Sequence, residues 1–158
     1  GCIGDYFNEA LLTAMLAVGY EIPKKNVMVS SGSARSKVDL LDGCRMLHEK
    51  GFQIYATAGT RKFLVENGID NAIEVSWPDE HRDNNVMDMI ARHDFDLIIN
   101  VPKNYTKHEM TNGYKIRRAA VDHNIPLITN ARLAGAFIEA FCTIGKEDIP
   151  IKSWKEYK

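Results

Sequence analysis

The sequence predicts an α/β domain, a three-layer, doubly wound fold on a five-stranded parallel sheet in the order 3-2-1-4-5. Three observations carry that expectation. Short apolar runs rich in β-branched residues alternate with stretches of helical periodicity, the pattern of successive βαβ units. The short runs are apolar almost throughout, as strands covered on both faces must be. Small polar residues follow nearly every run, where an open parallel sheet presents its ligand-binding rim. Right-handed crossovers with the first strand at the centre then fix the order.

The expected strands are 26–30 (NVMVS), 52–56 (FQIYA), 72–75 (AIEV), 96–100 (DLIIN) and 126–129 (PLIT), each too short to be a buried helix. Between the first two, Val38, Leu41, Cys44 and Leu47, with Leu40 beside them, recur at helical spacing, and Gly51 stands where a helix end favours a left-handed residue. Ser36 with Asp39 resembles a capping box, which puts the start of that helix near 33–36. A short helix at 61–67 stops at Gly68, and 86–93, 114–123 and 132–143 read as three more amphipathic helices. No internal repeat or low-complexity tract interrupts the pattern.

The ends differ from the middle. Residues 8–18 (NEALLTAMLAV) form an apolar helix whose partner surface is expected outside the chain, and Ile22-Pro23-Lys24-Lys25 reads as a linker. After Gly145, charged clusters and Pro150 mark 146–158 as a surface tail. The expected division is therefore 1–25 helix and linker, 26–145 domain, 146–158 tail. A start at Gly1 rather than Met, within the pattern, points to a piece of a longer polypeptide.

A chain of 158 residues fits one core, and 20 Lys and Arg against 21 Asp and Glu leave a net charge of -1. That balance supplies no field to hold nucleic acid or an anionic membrane, so any anion site must be local. Cys2, Cys44 and Cys142 form no CxxC pair and lie in apolar surroundings, the usage of reduced thiols in a cytosolic protein. No run approaches the roughly 18 apolar residues of a membrane span.

The rim carries the chemistry. The successive strands lead into Ser30-Ser31-Gly32-Ser33, Thr57-Ala58-Gly59-Thr60, Ser76-Trp77-Pro78, Asn100 and Thr129-Asn130. The first two turns contain glycine and open into helices, so unpaired backbone N–H groups and positive helix ends converge on a point suited to a phosphate or carboxylate. Lys37 adds a full charge, and Thr57 and Thr60 add hydroxyl donors. Helix capping alone accounts for Ser or Thr at any one of these positions, but is less persuasive for five rims together.

Other residues also admit two readings. In Arg117-Arg118 one arginine turns toward the rim or both are surface charges. Trp77 is a pocket wall or a cover over the sheet edge. Cys44 and Cys142 fall on apolar helix faces, unlike reactive thiols. The five histidines are scattered, with no HExxH or Cys/His ligand spacing, so no metal site is expected. Neither GxGxxG after a strand nor GxxxxGK[ST] occurs.

The runs GFQIYATAGTRKFLVENGI (51–69), DLIINVP (96–102) and YKIRRAAVDHNIPLITN (114–130) resemble the methylglyoxal-synthase-like domain of carbamoyl phosphate synthetase large subunits. The stretch NEALLTAMLAVGYEIPKKN is similar to the end of the preceding ATP-grasp half, and the likeness reaches to about Cys142. It implies an allosteric, effector-binding domain that is not catalytic by itself and holds no cofactor. The parent ligase makes carbamoyl phosphate from glutamine-derived ammonia, bicarbonate and two MgATP for arginine and pyrimidine biosynthesis in the cytoplasm. Implied partners are the ATP-grasp halves, a glutaminase small subunit, and an effector, either a nucleotide such as UMP or IMP or N-acetylglutamate. Thr57 and Thr60, with Gly59 between them, match the family's ligand-binding turn. Asn100 matches its asparagine, and Lys37 falls near its phosphate-binding lysine. Trp77 and Asn104 fit the N-acetylglutamate-responsive type, and Thr129 corresponds to the threonine of the ornithine-responsive pattern. Leu127 replaces the tyrosine of that pattern, and Val101-Pro102-Lys103 departs from the nucleotide-regulated bacterial type, which carries a threonine two residues after the asparagine.

Two other readings stand beside this one. A stand-alone methylglyoxal synthase eliminates phosphate from dihydroxyacetone phosphate with a carboxylate on a glycine-rich segment, where this chain has Trp77-Pro78-Asp79-Glu80-His81-Arg82-Asp83 without the glycines. The cyclohydrolase domain of purine biosynthesis shares the fold but not the IPKKN approach. A non-binding assembly module is a further alternative.

Overall fold

Burial on two faces decides which apolar runs become strands, and five of them pair in parallel as β3-β2-β1-β4-β5. The protein is described by a computed structural model covering residues 2–102 and 107–144. In chain order the elements are α1 (Cys2–Ala17), β1 (Asn26–Ser31), α2 (Ala34–Glu49), β2 (Gln53–Thr57), α3 (Ala58–Glu66), β3 (Ile73–Val75), α4 (Val86–Ala91), β4 (Leu97–Val101), α5 (Lys107–Asp122), β5 (Leu127–Ile128) and α6 (Ala131–Ile144). Asn104 and the expected tail at 146–158 lie outside the described residues.

Alternation along each strand sorts the side chains between two cores. Val27 and Val29 of β1, Ile54 and Ala56 of β2, and Leu97 and Ile99 of β4 join the helices α1, α2, α3 and α6. Met28, Val75 and Ile98 face the other way, against Val86 and Ile90 of α4 and Ile116 and Ala120 of α5. Cys44 is completely buried in the first core, and burial pushes its thiol up to about 12. Burial likewise raises the Cys142 thiol to about 11, so both are apolar packing groups rather than nucleophiles.

Several boundaries move for identifiable reasons. Phe52 closes α2 instead of opening β2: its N–H reaches Leu47 O at 3.0 Å while Gly51, at φ +89°, donates to His48 O, a Schellman motif. Asp96 is a clip rather than a strand residue, its carboxylate accepting the Lys25 and Asn26 N–H groups at 2.8 and 2.9 Å. The cap of α2 is Ser33, whose Oγ accepts from Ser36 N at 3.1 Å, so the expected Ser36–Asp39 capping box does not form. Helix α3 begins at Ala58, three residues before the expected start, so Gly59 lies in a first turn rather than in a loop. Helix α5 begins at Lys107 rather than near 114 and runs through Asn112 and Gly113.

The expectation that α1 lacks a partner is corrected. It packs on α6, with Leu12 and Met15 buried in the core that holds Phe137 and Phe141. The chain leaving it stays anchored, since the Tyr20 hydroxyl donates to Leu127 O at 3.1 Å and its ring lies 6.0 Å from that of Phe137.

Candidate ligand site at the strand ends

At the carboxyl ends of β1, β2 and β4 the sheet and the first turn of α3 carry polar side chains that are buried: Ser30, Ser31, Thr57, Thr60 and Asn100. Their hydrogen bonds distinguish caps from rim groups. Ser33 caps α2, and Asn130 caps α6 by accepting from Leu133 N at 2.9 Å. Thr57 occupies the N-cap of α3 but makes no side-chain cap bond, and its hydroxyl donates instead to Ser30 Oγ at 3.1 Å. The α3 N-terminus is therefore not covered by its own N-cap side chain, and it retains the positive end of the helix. Lys37 reaches the same place from α2: a Cβ built on Gly59 would lie 3.7 Å from Lys37 Nζ.

Thr60 belongs to the rim but is already engaged. Its Oγ1 accepts from Ser31 N at 3.0 Å and donates to Ser31 O at 3.3 Å, clipping α3 to β1. The neighbouring Ser31 Oγ is buried with no partner among the described residues.

On the opposite face of the sheet, β1 and β4 set Ser30 beside Asn100 in register. Together with Gly32, Trp77 and Gly113 they line a crevice of about 10 Å³, room for one water at most. The loop carrying Trp77 is fixed by its own bonds. Asn85 Nδ2 donates to Trp77 O at 3.1 Å and Glu80 O at 2.8 Å, and Trp77 N donates to Glu80 Oε1 at 2.9 Å. That N–H and the adjacent Arg82 guanidinium hold the Glu80 carboxyl below its ordinary range. Asp79, His81 and Asp83 are exposed. Of the arginine pair, Arg117 turns inward and donates from Nη1 to Asn100 Oδ1 at 2.7 Å, while Arg118 stays exposed with Asp122.

Thr129 is not brought to this crevice. It lies in an open hollow of about 450 Å³ with Arg35, Ser36, Asp39, Asn130 and Arg132, bounded by Val101 and Pro102, which also border the crevice. Sequence reasoning missed Ser30 as a partner of Thr57 and Gly113 as part of the lining. The available signal was the spacing of four between Gly113 and Arg117, which puts both on one helix face. No group of three or more His, Cys, Asp or Glu suited to a metal occurs among the described residues, and none of their helices is long and apolar enough to cross a membrane.

A three-layer α/β sheet with buried hydroxyls, an amide and a lysine gathered near its strand ends belongs to the doubly wound class, whose members bind ligands beyond the carboxyl ends of their strands. Comparison with known proteins makes this more particular. Residues 39–129 match the family model of the MGS-like domain, and the chain belongs to that family. It is 36% identical over 166 residues to the multifunctional protein CAD of Squalus acanthias, covering 96% of this chain and 7% of that one. It is 40% identical over 144 residues to the carbamoyl phosphate synthase large chain, C-terminal section, of Aquifex aeolicus, covering 91% of this chain and 26% of that one. It is 37% identical to the human mitochondrial carbamoyl-phosphate synthase [ammonia], covering 88% and 9%. The chain thus spans a small fraction of the length of these relatives. A crystal structure of methylglyoxal synthase from Elizabethkingia anophelis shares the fold, with a TM-score of 0.58 at 20% identity over 74% of this chain and 79% of that one.

Proposed function

We propose that the chain is the effector-binding, regulatory domain of a carbamoyl phosphate synthetase large subunit and is not catalytic alone. The observation that carries this reading is the α3 N-terminus, left without a side-chain cap by Thr57 and overlooked by the Lys37 ammonium. Helix N-termini of this kind favour phosphate or carboxylate. Lys37, Thr57, Gly59, Thr60 and Asn100 form the anion-binding side of the site, and Trp77 forms the apolar wall, with Asn104 assigned to it on the family likeness. Thr129 belongs to a neighbouring contact. The ligand is a nucleotide such as UMP or IMP, or N-acetylglutamate. A nucleoside base stacks on the Trp77 ring, whereas an acetyl group needs only an apolar surface. The likeness of residues 8–26 to the end of an ATP-grasp half favours an origin next to such a domain, in a cytoplasmic parent that uses ATP and Mg and works with a glutaminase subunit.

Calorimetric titration with UMP, IMP and N-acetylglutamate tests this. One of them binds, and Thr57→Val weakens it by about 1.5–3 kcal/mol, the size of a hydrogen bond to a charged group. Thr60→Val has the same direction but also removes the partner of Ser31 N. Binding of none of the three, or binding unchanged in both variants, refutes the assignment. A methylglyoxal synthase reading predicts phosphate release from dihydroxyacetone phosphate that is lost in Asp79→Ala or Asp83→Ala. The exposure of both carboxylates disfavours it.

A further inference from the structure

An asparagine amide offers an acceptor on one side and two donors on the other, and which side meets a ligand decides whether an anion is attracted or repelled. Asn100 is buried at the crevice, and its Oδ1 accepts from Arg117 Nη1 at 2.7 Å. A guanidinium has donors only, so it can satisfy only the oxygen end of the amide. The contact depends on Gly113, one helical turn before Arg117: a Cβ built there would sit 2.9 Å from Arg117 Nη1 and 3.7 Å from Asn100 Oδ1. A side chain at 113 would force the tip of Arg117 to shift.

We propose that Arg117, seated in the Gly113 slot, is a positioning residue that locks the Asn100 amide with its N–H donors toward the crevice. The site thereby selects a ligand that presents an anionic oxygen there, from either a phosphate or a carboxylate. This rests on the effector-site reading above and deepens it. With the guanidinium gone, the amide is free to turn its carbonyl to the ligand, and the neutral analogue loses less than the anion.

The test titrates the whole chain with UMP, uridine, N-acetylglutamate and the diamide of N-acetylglutamate, with circular dichroism establishing that each variant is folded. Arg117→Met weakens the anionic member that binds by about tenfold, the value of one charge-assisted bond, and Gly113→Ala, which displaces the guanidinium tip without removing it, weakens it by less. Both variants narrow the gap between that ligand and its neutral analogue. Arg117→Gln, which can still donate to Oδ1, stays within about threefold of the parent, as expected for orientation through a hydrogen bond. Asn100→Asp keeps the Arg117 contact as an ion pair, remains folded, and loses anion binding because it offers oxygen instead of N–H. Arg117→Met binding with unchanged affinity and selectivity overturns the proposal, as does Arg117→Gln losing as much as Arg117→Met, since the charge would then act directly. If Thr57→Val weakens the ligand while Arg117→Met does not, the effector site stands and this inference falls. If none of the ligands binds, both fall.

Discussion

The crevice at Ser30, Trp77 and Asn100 and the hollow at Thr129 adjoin the same Val101-Pro102 turn, yet they are built in opposite ways. The hollow is about 450 Å³ and presents Arg35, Asp39, Thr129 and Arg132 to solvent, where charges are screened and hydrated. The crevice holds about 10 Å³, and its polar groups lie in the sheet itself, each oriented by a neighbour: Ser30 by Thr57 and Asn100 by Arg117. Size is therefore a poor guide to where polar groups are held in a fixed orientation. Buried polar groups must have their partners fixed by the fold, and fixed donors give selectivity when a ligand displaces water. A ligand larger than one water enters only if the crevice opens.

Stability separates the two regions most sharply. Asn100→Ala removes the acceptor of a half-buried guanidinium and a packed amide, and should cost about 1–3 kcal/mol in urea denaturation. Thr129→Ala, at an exposed position, should stay within about 0.5 kcal/mol. Equal costs would mean that the crevice bonds contribute no more than surface groups do.

Thr60→Val is next. It leaves the buried Ser31 N–H without the acceptor it has at 3.0 Å, for a cost of about 1–2 kcal/mol by the same denaturation measurement. In the hollow, Asn130→Ala removes the α6 cap at Leu133 N and should cost about 1 kcal/mol. The two should add, because the first acts on the β1–α3 clip and the second on the start of α6, with no shared partner.

The sheet was legible because its signal is local and redundant: every strand is a short apolar run, and the crossover rule leaves few orders once five runs are counted. What escaped was decided by groups distant in sequence. Asp96 leaves β4 because its carboxylate meets backbone N–H groups about 70 positions earlier. Gly113 lies inside α5, where the absent side chain makes room for Arg117. At the rim, the residue types were readable but their duties were not. Thr57 and Ser33 both sit at N-caps and look alike in sequence, yet one caps and the other bonds across to β1. The inward turn of Arg117 rather than Arg118 follows helical phase, because Arg117 stands four residues after Gly113 on the face toward β4, whereas Arg118 pairs with Asp122 outside.

The smallest expected effect is the most direct test of whether the hollow is an equal candidate. Arg35 and Arg132 are the cations that line it, and both are exposed, so replacing both with alanine should change folding stability by less than about 0.5 kcal/mol. If the ligand uses the crevice and the α3 N-terminus, the double variant should also leave calorimetric affinity within about twofold, with a slightly shallower salt dependence because two screened charges have gone. A loss of tenfold or more would reverse the comparison. It would place an anionic group of the ligand between α2 and α6, where Thr129 and Asn130 could bond it, and Lys37 would then act from a distance rather than by contact. Repeating the titration with Asn100→Asp in the same background decides between the two positions. A ligand seated in the hollow tolerates a carboxylate at 100, whereas one seated in the crevice meets it at hydrogen-bonding range and is repelled.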